Sequence, residues 1–296
     1  MQKRVFIGIA IGAAWLLVLF FAPGWVLFSV LACVTALCQY EFYNMMSNGN
    51  LRVPCSPAWG IGMGIVWELF NFIYLPQGGR YADYGLFLLA FLILLFLLRV
   101  LFMRNQRDPV LYAATTLLGF FYLPFLLVYF IRIAQWGCAE PGMISPDRSG
   151  VYLILFLAWI VKFNDVGGLA VGVPFGKHKC IPSVSPNKSW EGFFGGLAVS
   201  IGFSLGFLAL AKNWGAVPEG IRTLAQAVSY WQITLIGAVL AIVGLLGDLV
   251  ESRFKRAAGV KDSACLFSGL GGFLDMFDSL VFAPVFFYCV LLWLGR

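Results

Sequence analysis

Nine apolar runs, most close to 20 residues long, divide this chain and dictate the solvent it folds in. They are Val5–Ala22, Trp25–Tyr40, Ala58–Leu75, Tyr84–Met103, Val110–Ile133, Gly150–Val173, Phe193–Ala211, Tyr230–Gly247 and Phe277–Leu294. A helix rises about 1.5 Å per residue, so about 20 apolar residues cross the hydrocarbon core of a bilayer. Charged residues make up only 11% of the 296 positions, where a soluble domain carries about 25%. Mean hydropathy is +0.88. The expected fold is all-α: a polytopic transmembrane helix bundle of about nine spans, because a helix satisfies its own backbone polar groups in lipid. The 29 Phe and 10 Trp suit lipid contact and membrane interfaces.

The net charge of +6 is placed between the apolar runs and not gathered into a patch, so no nucleic-acid partner is expected. The basic residues read first as topology signals. Of the 20 Lys and Arg, fourteen fall on the side shared with Met1 and six on the other, which puts the N-terminus in the cytoplasm and the C-terminus outside. The count is even once the two polar segments below are set aside, so the asymmetry rests on them. Lys3 and Arg4 followed by an apolar run resemble a signal peptide, but the run is long, Pro23 follows it and no small-x-small cleavage site is evident, so a retained first span is expected. The seven Cys show no C-x-x-C spacing and read as small buried thiols; with His178 as the single histidine, a His-based zinc site is not expected. Glu68 lies inside a run. A carboxyl there is functional, or it faces a neighbouring helix protonated or hydrogen-bonded.

Polar chemistry concentrates in two segments. The first is Gly247–Ser279. Asp248, Glu251, Ser252 and Lys255 follow one another at helical spacings and share a face if the helix continues, with Arg256 beside it. Gly259 would end that helix, and Lys261 and Asp262 open a loop. Gly269, Gly271 and Gly272 let backbone N–H groups approach phosphate oxygens. Asp275 and Asp278, three apart, fall on one face of the last helix, where a divalent cation such as Mg²⁺ would relieve their repulsion. Carboxylates for metal, Lys and Arg for phosphate and a glycine loop are the parts of phosphoryl or nucleotidyl transfer. The second segment is Lys162–Gly192. Lys162, Asn164 and Asp165 interrupt an apolar run and so face a polar cavity. Ser185 to Gly192 reads as a turn followed by a helix start, with Ser189 as N-cap and Lys188 beside it, an anion site or an interfacial anchor.

These residues resemble the CDP-diacylglycerol synthase (phosphatidate cytidylyltransferase) family. Its C-terminal pattern runs S-x-x-K-R, four residues, K-D, then P-G-H-G-G-x-x-D-R-x-D. Ser252, Lys255, Arg256, Lys261, Asp262, Gly269, Gly271, Gly272, Asp275 and Asp278 match in register, as do Asp248, Glu251, the element from Ser185 to Gly192 and the Asp165 element. The resemblance runs from about Lys162 to the C-terminus. Three positions depart: Ser268, Leu270 and Met276 stand where the family has Pro, His and Arg.

The resemblance implies an enzyme that joins CTP and phosphatidate, giving CDP-diacylglycerol and pyrophosphate for phospholipid synthesis. It implies Asp248, Asp275 and Asp278 as ligands of Mg²⁺, with a second cation allowed. Lys255 and Arg256 would neutralise phosphate charge, while Lys188, Ser185, Ser252, Lys261, Asp262, Asp165 and the glycines would contact substrate. It further implies residues 1–148 as an N-terminal membrane region of about five spans and 149–296 as the catalytic region. The setting is the cytoplasmic face of a bacterial membrane, and a homodimer is an allowed assembly. Two other classes fit: a CTP-dependent enzyme acting on another lipid, and a silent paralogue or transporter.

Overall fold

The structure, a computed structural model, describes residues 2–74, 82–103, 108–138, 143–144, 147–182, 184–214, 217–264 and 271–294, with backbone alone for 2–11 and 82. The described residues are mostly helical, with one short two-stranded sheet. Seven described helical segments are long and apolar enough to cross a membrane: Gly24–Asn48, Asp83–Leu101, Pro109–Ala134, Ser149–Phe175, Trp190–Asn213, Tyr230–Ala258 and Phe273–Leu294. The other two expected runs are helical as well over residues 5–21 and 58–74. The chain folds as two compact units, one of residues 1–144 with 255–277 and one of residues 145–254 with 278–296.

The first unit contains α1 (Gln2–Phe21), α2 (Gly24–Asn48), α3 (Pro57–Tyr74), α4 (Ala82–Leu101), α5 (Pro109–Tyr122) and α6 (Pro124–Ala134). Proline opens α3, α5 and α6, where its missing N–H is harmless. Pro124 also separates α5 from α6. The core centres on α2, whose Leu27, Cys38, Phe42 and Tyr43 are fully or almost fully buried. Polar groups inside it are satisfied between helices: the Tyr43 hydroxyl donates to the Thr116 carbonyl at 2.7 Å, and Gln39 Nε2 to the Gly60 carbonyl at 3.0 Å. Glu68 is buried in this unit beside Thr35.

The second unit contains α7 (Ser149–Phe175), strands β1 (Lys179–Ile181) and β2 (Ser185–Ser189), α8 (Trp190–Asn213), α9 (Glu219–Ala227) and the greater part of α10 (Tyr230–Ala258). It closes with a 3₁₀ turn at Asp278–Leu280 and α12 (Ala283–Leu294), whereas α11 (Phe273–Phe277) and the last turn of α10 belong to the first unit. Helices α7 and α8 pack with backbones nearly touching. A Cβ on Gly192 would lie 2.8 Å from the Gly168 carbonyl, the close approach that small residues permit inside membranes. Across this unit Ser200 Oγ donates to the Ile160 carbonyl at 3.0 Å, and Asn164 Nδ2 to that of Ala241 at 3.3 Å.

Two local expectations change. Ser185–Ser189 is a strand pairing antiparallel with Lys179–Ile181, not a turn, although Ser189 is the expected N-cap, accepting from Gly192 N at 3.2 Å. The last apolar run is not one helix. Pro284, at the second position of α12, disfavours helix before it, and a 3₁₀ turn at Asp278 separates α11 from α12. The 3₁₀ turn that carries Asp278 follows α11, which carries Asp275, without a gap. Continuation of α10 to Ala258 is as expected. Gly259, at φ +73°, donates to the Arg256 carbonyl at 3.1 Å, and Val260 N to that of Lys255 at 3.0 Å, a Schellman cap.

Candidate active site

In the second unit α10 presents Asp248 and Glu251 on one face, and the 3₁₀ turn presents Asp278. One oxygen from each of these three carboxylates lies within 4.8 Å of the others. Glu251 is completely buried. Two lysines counter this charge. Lys188, at the end of β2, forms an ion pair with Asp248, whose Oδ1 also accepts from Ser252 Oγ at 3.3 Å. Lys162 on α7 donates to Ser279 Oγ at 2.9 Å and lies 4.0 Å from Asp165 Oδ2. Ser279 Oγ is in turn 3.4 Å from Asp165. Two of the three polar residues that break up the apolar run of α7, Lys162 and Asp165, thus face a charged centre, as their expense in lipid demands.

The three carboxylates suit a hard divalent cation. Octahedral Mg²⁺ at about 2.1 Å from its ligands holds their oxygens about 3–4 Å apart, a small contraction of the spacing observed. The donors are all carboxylate oxygens, which is the donor chemistry such an ion prefers.

The first unit gathers the other sequence-derived residues. Lys255 Nζ donates to Asp275 Oδ1 at 2.7 Å. Asp275 Oδ2 accepts from Gly272 N at 2.8 Å, and from Ser263 N and Oγ at 2.9 Å each. Both oxygens of Asp275 are therefore committed to protein donors. Gly271, at φ +81°, has a backbone conformation that an L side chain rarely adopts, and a Cβ there would overlap Asp275. Arg256, Lys261 and Asp262 are exposed at and beyond the end of α10, while Ser185 is half-buried at the start of β2. Gly269, Ser268 and Leu270 lie outside the described residues.

Two acidic residues carry more of these centres than the sequence indicated. Glu251 was legible by its helical spacing from Asp248, but its approach to Asp278 is tertiary. Glu41, at the end of an apolar run, is buried on α2 and accepts three hydrogen bonds, from Ser263 Oγ, Phe273 N and Leu274 N. No local pattern singles it out, because its partners are more than 220 residues away.

The helices and their charged centres define an integral membrane protein with an acidic and basic site set into apolar spans. A profile of the cytidylyltransferase family matches residues 2–294, and the chain belongs to that family. It is 27% identical over 292 residues to a phosphatidate cytidylyltransferase of Mycobacterium bovis, covering 98% of this chain and 88% of the relative. Over 153 residues it is 39% identical to a Staphylococcus epidermidis protein of the same name, covering 51% of this chain and 54% of the relative. Over 138 residues it is 38% identical to that of Haemophilus influenzae, covering 47% and 45%.

Proposed function

We propose that this protein transfers a cytidylyl group from CTP to phosphatidate. A phosphate oxygen of the lipid attacks the α-phosphorus of CTP, the bond to the bridging α–β oxygen breaks, and CDP-diacylglycerol and pyrophosphate form. Family membership over residues 2–294 carries this reading, and the charged centre of Asp248, Glu251, Asp278 and Lys188 supports it. CTP arrives from water and phosphatidate from the bilayer, so the reaction needs charged groups set into membrane helices near an interface.

Asp248, Glu251 and Asp278 would hold Mg²⁺. The cation, when bound, supplies charge neutralisation and polarisation of phosphate oxygens. This replaces Asp275, whose oxygens are taken by Lys255, Ser263 and Gly272. The proposal extends to a second cation, for which Asp165 is the remaining carboxylate of the second unit's centre. Lys188 and Lys162 counter lipid phosphate charge, and Lys255 and Arg256 that of the nucleotide, where the arginine fork binds two oxygens at once. Ser185, Ser252, Lys261, Asp262, Gly269, Gly271 and Gly272 belong to the same substrate-binding proposal, and residues 149–296 to the catalytic region. The site faces the cytoplasm of a bacterial cell, and a homodimer is part of the same expectation.

The test is direct. Purified protein, given labelled CTP, phosphatidate and Mg²⁺, should convert label to a lipid-soluble product and release pyrophosphate. Label appearing only with another lipid phosphate would move the reading to a related enzyme, and none with any lipid would sink it.

A further inference from the structure

Glu41 has no part in the reaction as proposed, yet it is 2% exposed and saturated with donors. Phe273 N donates to its Oε1 at 2.9 Å, Leu274 N to its Oε2 at 2.9 Å and Ser263 Oγ to its Oε2 at 2.8 Å. Phe273 and Leu274 open α11, so their N–H groups have no carbonyl within that helix to bond. Ser263 joins two carboxylates of this unit, Glu41 and Asp275. Its backbone N–H stays on Asp275, while its hydroxyl, with one proton, is within reach of both Glu41 and Asp275. Gly272 sits where any side chain would overlap Glu41 Oε2 and Ser263 Oγ. Two segments thus meet on one carboxylate carried by α2: Ser263 from one, and Gly272, Phe273 and Leu274 from the other, with Asp275 behind them.

We propose that Glu41 is a positioning residue: it fixes the Gly271–Asp275 segment so that Asp275 holds Lys255 in place for the nucleotide's phosphates. The inference rests on the function proposed above. Lys255 is aimed by Asp275, Asp275 is aimed by Ser263 and Gly272, and both of those abut Glu41. The triphosphate of CTP draws more on these cationic and backbone groups than the single phosphate of the lipid does. Loss of Glu41 is therefore felt in CTP binding first.

Glu41→Gln keeps the volume but turns one acceptor oxygen into an N–H₂ donor facing an N–H. Two measurements on the full-length variant decide. Amide exchange should show lost protection in 271–277, with α2 and α3 peptides unchanged. Steady-state kinetics should show KM for CTP raised on the order of tenfold, with KM for phosphatidate unchanged. Ser263→Ala should move KM for CTP in the same direction and less than additively with Glu41→Gln. Unchanged protection in 271–277 overturns the inference. So does a fall in kcat that tracks loss of folded protein while both KM values hold, which is the behaviour of a purely stabilising residue. A wild type that never turns over CTP instead overturns the function, and with it the kinetic half of the inference. The exchange data then still report whether Glu41 orders the segment.

Discussion

Lys255 and Asp275 form an ion pair of 2.7 Å whose side chains are only 13% and 11% exposed. The other oxygen of Asp275 lies within hydrogen-bond reach of three donors, Gly272 N, Ser263 N and Ser263 Oγ. The carboxylate is thus built into the protein, while Asp278 sits with Asp248 and Glu251. Substituting each aspartate by asparagine should separate the two roles. Asp278→Asn should cut turnover by orders of magnitude and shift the Mg²⁺ dependence to higher concentration, because a proposed cation ligand is weakened. Asp275→Asn turns an N–H₂ toward the Lys255 ammonium and leaves a nearly buried cation without its partner. That costs about 3 kcal/mol, so thermal stability and turnover should both fall with the Mg²⁺ midpoint unchanged. A Mg²⁺ shift in Asp275→Asn equal to that in Asp278→Asn would restore Asp275 to the metal.

Gly259 offers a stability test away from the chemistry. Its φ of +73° belongs to the left-handed region, and a Cβ would run into Asn50. Asn50 N in turn donates to the Ala258 carbonyl at 2.8 Å, tying the α2–α3 connection to the end of α10. Gly259→Ala should lower stability by about 1–2 kcal/mol, seen as a reduced melting temperature in detergent. An unchanged melting temperature would mean that the cap contributes little.

The parts legible in the sequence are those written in local patterns. Apolar length marked the spans, and helical spacing marked the face of α10 with Asp248, Glu251 and Ser252. Ser189 and Gly259 announced a helix start and a helix stop by residue type alone. What escaped was set by tertiary contact or by a break in periodicity. The last apolar run read as one straight helix, and the 3₁₀ turn before Pro284 interrupts it. Ser185–Ser189 pairs as a strand because Lys179–Ile181 lies beside it, which no local signal states. Glu41 looked like the polar end of a span, and its meaning lies in α11.

Orientation can be read with cysteine probes. Lys179 in the hairpin and Lys261 beyond α10 are exposed, and the basic-residue asymmetry predicts that both lie in the cytoplasm. Lys179→Cys and Lys261→Cys, in a background lacking other reactive thiols, should react with an impermeant reagent only in inside-out vesicles. Burial pushes the native Cys55 thiol up to about 11, so it stays protonated and slow to react at neutral pH. Labelling of either introduced cysteine in intact cells would reverse the topology.

The departures from the family pattern give the last prediction. Met276 lies half-buried on α11, directly after Asp275, and Leu270 precedes Gly271. The family pattern has Arg and His at these positions, each able to donate to a phosphate oxygen. A charge-assisted hydrogen bond is worth about 1.5–3 kcal/mol, or roughly tenfold to a hundredfold in affinity or rate. Leu270→His together with Met276→Arg should therefore raise kcat/KM for CTP. Because Glu41 and Ser263 hold the segment that carries Met276, the gain should appear only while that segment is ordered. The double change in a Glu41→Gln background should then give less than it does alone. Neighbouring side chains already adapted to Leu270 and Met276 would produce the opposite sign. Steady-state kinetics against CTP at saturating phosphatidate distinguishes the two, and a fall in kcat/KM for the double variant in the wild-type background refutes the prediction.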